Sequence, residues 1–396
     1  MIAQPTAIAM HSPLRQPFDA WQMQNNDSNN SSLSDSRATV APVCRIQPAD
    51  VAIACRKTIE ELEALAKAPD RLFKPRVRRL VKGKWREIDP PTRLGKATLV
   101  HLHRFLQQVC PPGKIVHGGA LKRSCFTSAS LHCGRSLVVT RDIFRCYPSI
   151  TQSMIFGALI ARGFRSDTAA LLADLLVIRG CVPQGSPASG SALNILLFEF
   201  DKQLRETCET NSWRASRTYD DIVVSSMNLA DRPAIERFLN DSIARVGLEF
   251  SHRKAKRRGV QVLRGHDGKR TEIHSLVTSR AGGVKIGAKH HQEAIAIATR
   301  YQNCCKALSA SSLLAAAKLR QQAVGWKHYS GQARFGPYRN VKQLIESGDR
   351  IASRRLNALG IAEGPRPWFA LDGGHNEPRR LMSAWNRKNK TQSMSA

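Results

Sequence analysis

Two adjacent carboxylates, Asp220 and Asp221, constrain the fold of this chain more than any other feature of its sequence. Residues that favour β-strands flank them on both sides, in a pattern typical of a short hairpin. Like charges at the tip of a buried hairpin repel each other, and the pair is costly unless a cation neutralises it. A third aspartate, Asp142, follows the apolar run 136–140 and is therefore expected at the end of another strand. The sequence thus predicts strand ends that carry carboxylates.

Three carboxylates from two strands can hold two Mg2+ ions. Mg2+ prefers oxygen ligands and keeps part of its coordination shell for phosphate and water, so few protein ligands are needed. Two such ions roughly 4 Å apart activate a hydroxyl and stabilise the leaving pyrophosphate in phosphoryl transfer. An isolated Asp-Asp pair is more often a turn or a helix cap. The order of Asp142, the segment Pro183-Gln184-Gly185 and the Asp220-Asp221 pair instead favours a metal-dependent nucleotide polymerase.

Taken together, the three segments resemble the palm of a bacterial reverse transcriptase of the retron-like, defence-associated (unknown-group) assemblage. The similarity runs from about Arg78 to about Gly331. It implies an α+β right-hand polymerase fold with fingers, a palm of antiparallel sheet and helices, and a helical thumb. In that family the aspartates matched by Asp142, Asp220 and Asp221 are catalytic and bind the two Mg2+ ions.

The resemblance also implies a nucleotide-binding set. Gln184 and Gly185 match the segment whose glutamine supports the incoming nucleotide. Tyr147 matches the aromatic side chain that stacks under the sugar and rejects a 2′-hydroxyl. A bulky ring at this position implies that the substrates are deoxynucleotides.

Two basic segments add candidate phosphate ligands. Lys84 and Arg86 lie in a predicted hairpin, residues 82–90, which resembles the fingers hairpin that clamps the nucleotide phosphates. Arg86 is favoured because a guanidinium makes bidentate phosphate contacts. Lys254 matches a catalytic lysine that would protonate or neutralise the leaving pyrophosphate. The alternative for Lys254 is a solvated basic run, since 253–258 is rich in arginine and lysine.

The sequence departs from the retron pattern at three places. A retron signature Asn-Ala-x-x-His is matched with Ser128 in place of the asparagine, although His132 is retained, and the Val-Thr-Gly signature is absent at 273–275. Both features are tied in that family to a retron's own structured RNA, so the departures favour a relative outside the retrons proper. In the hairpin, the aromatic-x-Asp-Asp of the family appears here as Thr218-Tyr219-Asp220-Asp221, a departure that could alter contacts with the primer end but leaves the metal ligands intact.

The charge of the chain predicts its class of partner. Lys and Arg number 61 against 31 Asp and Glu, a formal net charge of +30, which is the electrostatic signature of a protein that binds a polyanion. The expected partners are a cognate noncoding RNA template, dNTPs and the cDNA product, with an effector protein as a further candidate. Charge repulsion disfavours self-association without RNA, so any oligomer is expected to depend on RNA.

Apolar runs and cysteines bear on the compartment. No apolar run approaches the roughly 20 residues of a membrane span, so no membrane partner is expected. The ten cysteines are scattered without a Cys-x-x-Cys, which favours free thiols in a reducing compartment. These two observations predict a cytoplasmic protein.

The organisation predicted along the chain has five parts. They are a disordered N-terminal lead-in over 1–45, fingers over 46–136, a palm over 137–288 with fingers helices inserted between its motifs, a helical thumb over 289–362 and a basic tail over 363–396. The apolar pattern predicts continuous helices over 50–68 and 186–206. The chain is expected to copy an associated noncoding RNA into cDNA, in defence against phage. The alternatives are a group II intron-type maturase and a catalytically idle scaffold that only binds RNA.

Overall fold

The computed structural model describes residues 45–81, 84–252, 259–262, 271–274, 276–278, 283–308, 312–333 and 337–358. The described residues form two compact units. The first comprises those of Met1–Ser124 and Val139–Val260, and the second those of Cys125–Val138 and Gln261–Ala396. The predicted lead-in, apart from Arg45, and the predicted basic tail lie outside the described residues. The predicted boundaries of fingers, palm and thumb stay a prediction.

Helices make up most of the ordered elements. In chain order the described helices are α1 (Pro48–Ala54), α2 (Ile59–Lys67), α3 (Pro69–Leu72), α4 (Arg93–Val109), α5 (Cys125–Leu131), α6 (Cys146–Ser149), α7 (Gln152–Ala161), α8 (Ser166–Leu176), α9 (Ser189–Leu196), α10 (Phe198–Thr210), α11 (Arg232–Arg245), α12 (Ala288–Lys306), α13 (Leu313–Gly331) and α14 (Tyr338–Ala358).

The strands of the described residues form three sheets. The described strands are β1 (Val77–Val81), β2 (Lys84–Ile88), β3 (Leu137–Asp142), β4 (Arg214–Thr218), β5 (Asp221–Ser226), β6 (Val260–Val262), β7 (Thr271–Ile273), β8 (Leu276–Thr278) and β9 (Val284–Ile286). The sheet orders are β1-β2, β4-β5-β3-β6 and β7-β8-β9. The pairs β1/β2, β4/β5, β7/β8 and β8/β9 are antiparallel. The predicted α+β class is therefore confirmed, and it is consistent with a right-hand polymerase fold.

Local sequence explains where the first helices begin and end. Thr58 caps α2, because its side chain accepts from the Glu61 N–H at 3.2 Å while the Glu61 carboxylate accepts from the Thr58 N–H at 3.1 Å. This cap, together with the left-handed backbone of Arg56 (φ +58°), separates α1 from α2. The prediction of one helix over 50–68 was therefore wrong. The apolar residues on both sides of the break still reach the core.

In the first unit, helices pack on one another and one of them packs against the four-stranded sheet. In α4, residues Leu99, Leu102 and Leu106 recur at helical spacing and are all buried. α9 packs on α4 and α7, and α10 packs against β4. The predicted helix over 186–206 is in fact two helices, α9 and α10, which are separated at Leu197.

The second unit has its own core. Its helices α12, α13 and α14 enclose a cluster of buried residues centred on Tyr301. The Tyr301 hydroxyl donates to the carboxylate of Asp349, which also accepts from the Arg320 guanidinium at 2.8 Å. A buried phenol is thus paired, as burial of a polar group requires. The described residues of 289–362 are thus mainly helical, as predicted.

Within the described parts of the chain, no helix combines the length and apolar character needed to cross a lipid bilayer. The nine cysteines that fall in these parts are free thiols.

Candidate active site

Three aspartates meet at the ends of neighbouring strands. Asp142 is the last residue of β3, Asp220 lies in the turn between β4 and β5, and Asp221 is the first residue of β5. One carboxylate oxygen from each lies within 4.8 Å of the others. The main chain fixes this approach, because the Ile143 N–H donates to the Asp220 carbonyl at 3.1 Å. The structure thus brings together the three residues that the sequence singled out.

The carboxylate cluster is chemically suited to Mg2+. Its donors are all oxygens, the hard ligands that this ion prefers, and Asp220 and Asp221 are shielded only in part from solvent. Three negative charges in so small a volume repel one another unless a cation neutralises them. The residues present therefore fit a divalent cation, as predicted.

A two-residue turn presents Asp220. The β4/β5 register pairs Thr218 with Asp221, which leaves only Tyr219 and Asp220 in the turn. Tyr219 has a φ of +55°, in the left-handed region where non-glycine residues are uncommon. Tight turns between antiparallel strands favour such positive φ values, since they match the twist of the strands.

A buried guanidinium holds this turn from behind. Arg217 has no exposed surface, and its Nη1 donates to the Tyr219 carbonyl at 2.9 Å. Its Nε and Nη2 donate to the two carboxylate oxygens of Asp201 at 2.7 and 2.6 Å. Burial raises the pKa of Asp201, and the Arg217 charge opposes that shift. Because the pair is bidentate, it fixes the guanidinium in one orientation and thereby positions the turn.

The loop before α5 leaves no room beside this turn. A Cβ placed on Gly118 would lie 2.3 Å from the Tyr219 nitrogen, so only glycine fits there. The His117 N–H donates to the Arg217 carbonyl at 2.7 Å, and the Asn194 amide donates to the Gly118 carbonyl at 3.2 Å. The loop, α9 and the hairpin therefore form one closely packed support for the aspartates.

A cavity of about 430 Å3 opens next to the turn. The predicted nucleotide-binding residues Arg86, Tyr147, Gln184 and Gly185 all line it, as does Tyr219. The remaining lining residues are Ile88, His103, Gly119, Pro183, Ser186, Pro187, Ser189 and Gly190. One concave surface is thus shared by residues from β2, from α6 and from the loop 182–188 before α9, here called the Gln184 loop, although these segments lie far apart in sequence. The cavity is of a size found in ligand sites.

Tyr147 enters the cavity from a single helical turn. Arg145, at the N-cap of α6, has a left-handed backbone with φ +43°, which turns the chain sharply after β3. Burial raises the pKa of the Tyr147 phenol, and the neighbouring Cys146 and Asp220 add to the shift. The phenol is therefore neutral at physiological pH and acts as a ring with a hydroxyl tip.

The Gln184 loop is attached to the end of β2. The Asp89 N–H donates to the Gln184 carbonyl at 2.8 Å. Gly185 has a φ of +111°, and a Cβ there would meet the Ile88 side chain at 3.0 Å and the Asp89 carbonyl at 3.2 Å. The sequence singled out Gly185 by resemblance, and the structure supplies the physical reason for a glycine.

Sequence reasoning missed His103. It lies on α4 and lines the cavity. Its Nδ1 is 2.8 Å from the Ser191 hydroxyl. Burial lowers the pKa of His103, so the ring is neutral at pH 7. A signal was present, because a histidine interrupts the apolar face that Leu99 and Leu106 define at helical spacing. The partner on α9 could not be inferred from the sequence.

Two predicted phosphate ligands are not placed by the structure. The backbone of Lys84 lies in β2, but its side chain is outside the described residues. Lys254 lies entirely outside them. Their roles stay predictions.

Comparison with known proteins gives the family context. No protein-family model matches the sequence. Retron Mx65 reverse transcriptase of Myxococcus xanthus is 27% identical over 231 residues, 53% of this chain and 53% of the relative. Retron Ec86 reverse transcriptase of Escherichia coli is 23% identical over 248 residues, 62% of this chain and 74% of the relative. The chain thus spans about half the length of the Mx65 relative. The matches confirm the resemblance to bacterial retron-type reverse transcriptases.

Solved structures with some likeness include telomerases. Candida albicans telomerase, solved with a TWJ fragment of telomeric RNA, has a TM-score of 0.40 at 9% identity. The match covers 83% of this chain and 67% of the telomerase chain. Apo telomerase of Candida tropicalis has a TM-score of 0.40 at 12% identity. The match covers 72% of this chain and 62% of the telomerase chain.

Proposed function

We propose that this chain, which is similar to the bacterial retron-type reverse transcriptases, is an RNA-directed DNA polymerase that copies an associated noncoding RNA into cDNA. The observation that carries the proposal is the clustering of Asp142, Asp220 and Asp221, within 4.8 Å of one another, beside a cavity lined by Arg86, Tyr147 and Gln184. Carboxylates for metal ions and a guanidinium for phosphates are the two charge types that phosphoryl transfer needs.

The three aspartates would hold two Mg2+ ions, which supply activation of the 3′-hydroxyl and charge neutralisation at the triphosphate. The remaining tasks fall to the side chains of the cavity. Arg86 binds phosphate oxygens, and Gln184 supports the incoming nucleotide. The Tyr147 ring occupies the space that a 2′-hydroxyl would need, which selects dNTPs. Lys254 neutralises the leaving pyrophosphate. Positioning and electrostatics then account for most of the rate.

The partners follow from the same proposal. The retron relatives and the net charge of +30 support a structured RNA as the template. The product is cDNA, and we place the reaction in the cytoplasm and in defence against phage. An effector protein would act through the product or through the RNA complex.

The test is to express the chain with its native flanking genomic sequence and to sequence the RNA and DNA that copurify. The variant Asp220→Asn/Asp221→Asn removes the carboxylates of the turn, whereas Asp241→Asn changes an exposed aspartate of α11 and serves as the matched control. We expect cDNA complementary to one bound RNA from the wild type and the control. With the double variant we expect at least a ~1000-fold loss, the scale of electrostatic terms in catalysis.

RNA binding is measured on the same samples. Binding should survive both the double substitution and removal of Mg2+ by a chelator, since the basic surface and not the metal ions holds the RNA. If the RNA is bound and no cDNA appears with any form, even with dNTPs supplied, the chain is a scaffold and the polymerase proposal is wrong. Excision of a flanking intron from the copurified RNA would instead indicate a maturase.

A further inference from the structure

Behind the Gln184 loop lies a buried carboxylate that the proposed mechanism does not use. Asp89 follows β2 and is only 2% exposed. It accepts from Arg76 Nε at 3.0 Å and Arg76 Nη2 at 3.2 Å, and from Arg179 Nη1 at 2.9 Å. Two guanidiniums therefore converge on one carboxylate. Such charge-assisted hydrogen bonds are stronger than neutral ones and more specific in geometry.

Asp89 is attached to the Gln184 loop at two points. Its backbone N–H donates to the Gln184 carbonyl at 2.8 Å. Its carboxylate binds Arg179, which lies five residues before Gln184 on the same segment. A single residue at the end of β2 thus holds the segment 179–184 at both of its ends.

The Arg179 end of this segment is itself rigid. Arg179 and Gly180 have φ values of +50° and +81°, and they form a two-residue turn between Ile178 and Cys181. Ile178 and Cys181 exchange backbone hydrogen bonds of 2.9 and 3.1 Å. Positive φ at both central positions is typical of the tight hairpin turns that leave little freedom to the chain. A displacement of Arg179 is therefore passed on to the loop that follows.

The other carboxylates that the two guanidiniums bind are exposed. Arg179 also bonds Asp70, whose side chain is 88% exposed, at 3.1 Å. Arg76 also bonds Glu87 at 3.2 Å at the surface. The bond to Asp89 raises the pKa of Arg76 above its usual value, so this guanidinium stays charged. Among Asp70, Glu87 and Asp89, only the Asp89 carboxylate is buried. Its charge interactions are therefore screened least by water and salt.

We propose that Asp89 is a positioning residue for the incoming nucleotide. Its paired carboxylate sets the place of Gln184 relative to Arg86, which lies three residues earlier on β2, so that both reach one nucleotide in the cavity. Asp89 is buried behind the loop and is not itself a cavity-lining residue. The inference rests on the proposed polymerase function and adds to it a residue that acts through Gln184.

The experiment measures KM and kcat for dNTP incorporation on a primed RNA template. Asp89→Asn removes the charge that the two guanidiniums share, and it should raise KM for the dNTP by about tenfold to a hundredfold, the range that a misplaced binding group produces. The value of kcat at saturating dNTP should stay near that of the wild type, because the aspartate cluster is untouched. Asp70→Asn is the matched control, since it removes the exposed partner of the same arginine and should leave KM unchanged.

Loss of a buried charge can also unfold a protein, so a milder variant is needed. Arg179→Gln leaves Arg76 on Asp89 and should raise KM by less than Asp89→Asn does. Melting temperatures of all variants are recorded, and kinetics are compared at a temperature where each is folded. If folded Asp89→Asn and Arg179→Gln proteins keep the wild-type KM, or if Asp70→Asn raises KM equally, Asp89 has no positioning role.

Binding of a fluorescent dATP analogue is measured on the same proteins. A wild-type chain that binds the analogue without incorporating dNTPs would refute the polymerase function while still testing Asp89. Weaker binding by Asp89→Asn than by Asp70→Asn would then support the positioning role. Equal binding by the two would refute it.

Discussion

Two buried carboxylates stand behind the two sides of the candidate site, and they are held in different ways. Asp201 supports the aspartate turn through Arg217, a guanidinium with no exposed surface. Asp89 supports the Gln184 loop through Arg76 and Arg179, whose side chains are each 33% exposed. The acidic side of the site is thus fixed by an ion pair removed from water, and the basic side by a buried carboxylate whose two arginine partners are partly solvated.

This difference predicts how each side responds when one of its charged residues is replaced. Removing one partner of a fully buried pair leaves an uncompensated charge in the interior, which is strongly destabilising. At Asp89 the loss of one guanidinium leaves the other in place, and water solvates part of the gap. We therefore expect changes behind the Asp220-Asp221 turn to affect folding, and changes behind the Gln184 loop to affect substrate binding.

The largest effect is expected from Arg217→Gln. It leaves the Asp201 carboxylate without its guanidinium and removes the donor to the Tyr219 carbonyl, so the free energy of unfolding should fall by about 3–5 kcal/mol. Arg179→Gln, the matched change on the other side, should cost about 1 kcal/mol or less because that arginine is partly solvated. Urea denaturation of both proteins measures the difference. Equal losses would break the comparison between the two sides.

A smaller loss is expected when the packing beside the turn is changed without altering charge. Gly118→Ala would place a methyl group 2.3 Å from the Tyr219 nitrogen, which forces the backbone to move. We expect a loss of about 1–3 kcal/mol, with reduced DNA synthesis. Gly113→Ala is the control, because a Cβ at Gly113 meets nothing within 4 Å. A Gly118→Ala protein as stable and active as the control would show that the turn is not tightly held.

On the nucleotide side, Tyr147→Ala should change the selectivity for the sugar of the nucleotide. Removing the ring opens the space beside the sugar, so the preference for dNTPs over rNTPs should fall by about tenfold to a hundredfold. Tyr147→Phe keeps the ring and should keep the preference. Single-nucleotide incorporation with paired dNTP and rNTP substrates gives the ratio. An unchanged ratio in Tyr147→Ala would mean that another residue excludes the 2′-hydroxyl.

Much of the site could be predicted because its signals are local. The strand before Asp142, the hairpin around Asp220 and Asp221, and the strand pair that carries Arg86 all have the periodicity and turn residues of their elements, and the structure confirms these elements. The predicted helix over 50–68 was wrong because the apolar pattern continues across a break. The Thr58 cap begins a new helix at Ile59, although the helical spacing of apolar residues continues across this point.

What the sequence determined by itself is the chemistry: three carboxylates at strand ends, a guanidinium on a hairpin and a net charge suited to a polyanionic partner. These depend on residue type and on neighbours within a few positions. The tertiary structure alone decided which distant groups support that chemistry. Arg217 finds Asp201 across 16 residues, Ser191 meets His103 across 88, and Arg179 meets Asp89 across 90. Such pairs leave no periodic trace in the sequence, because they are selected by how helices and strands pack and not by spacing along the chain.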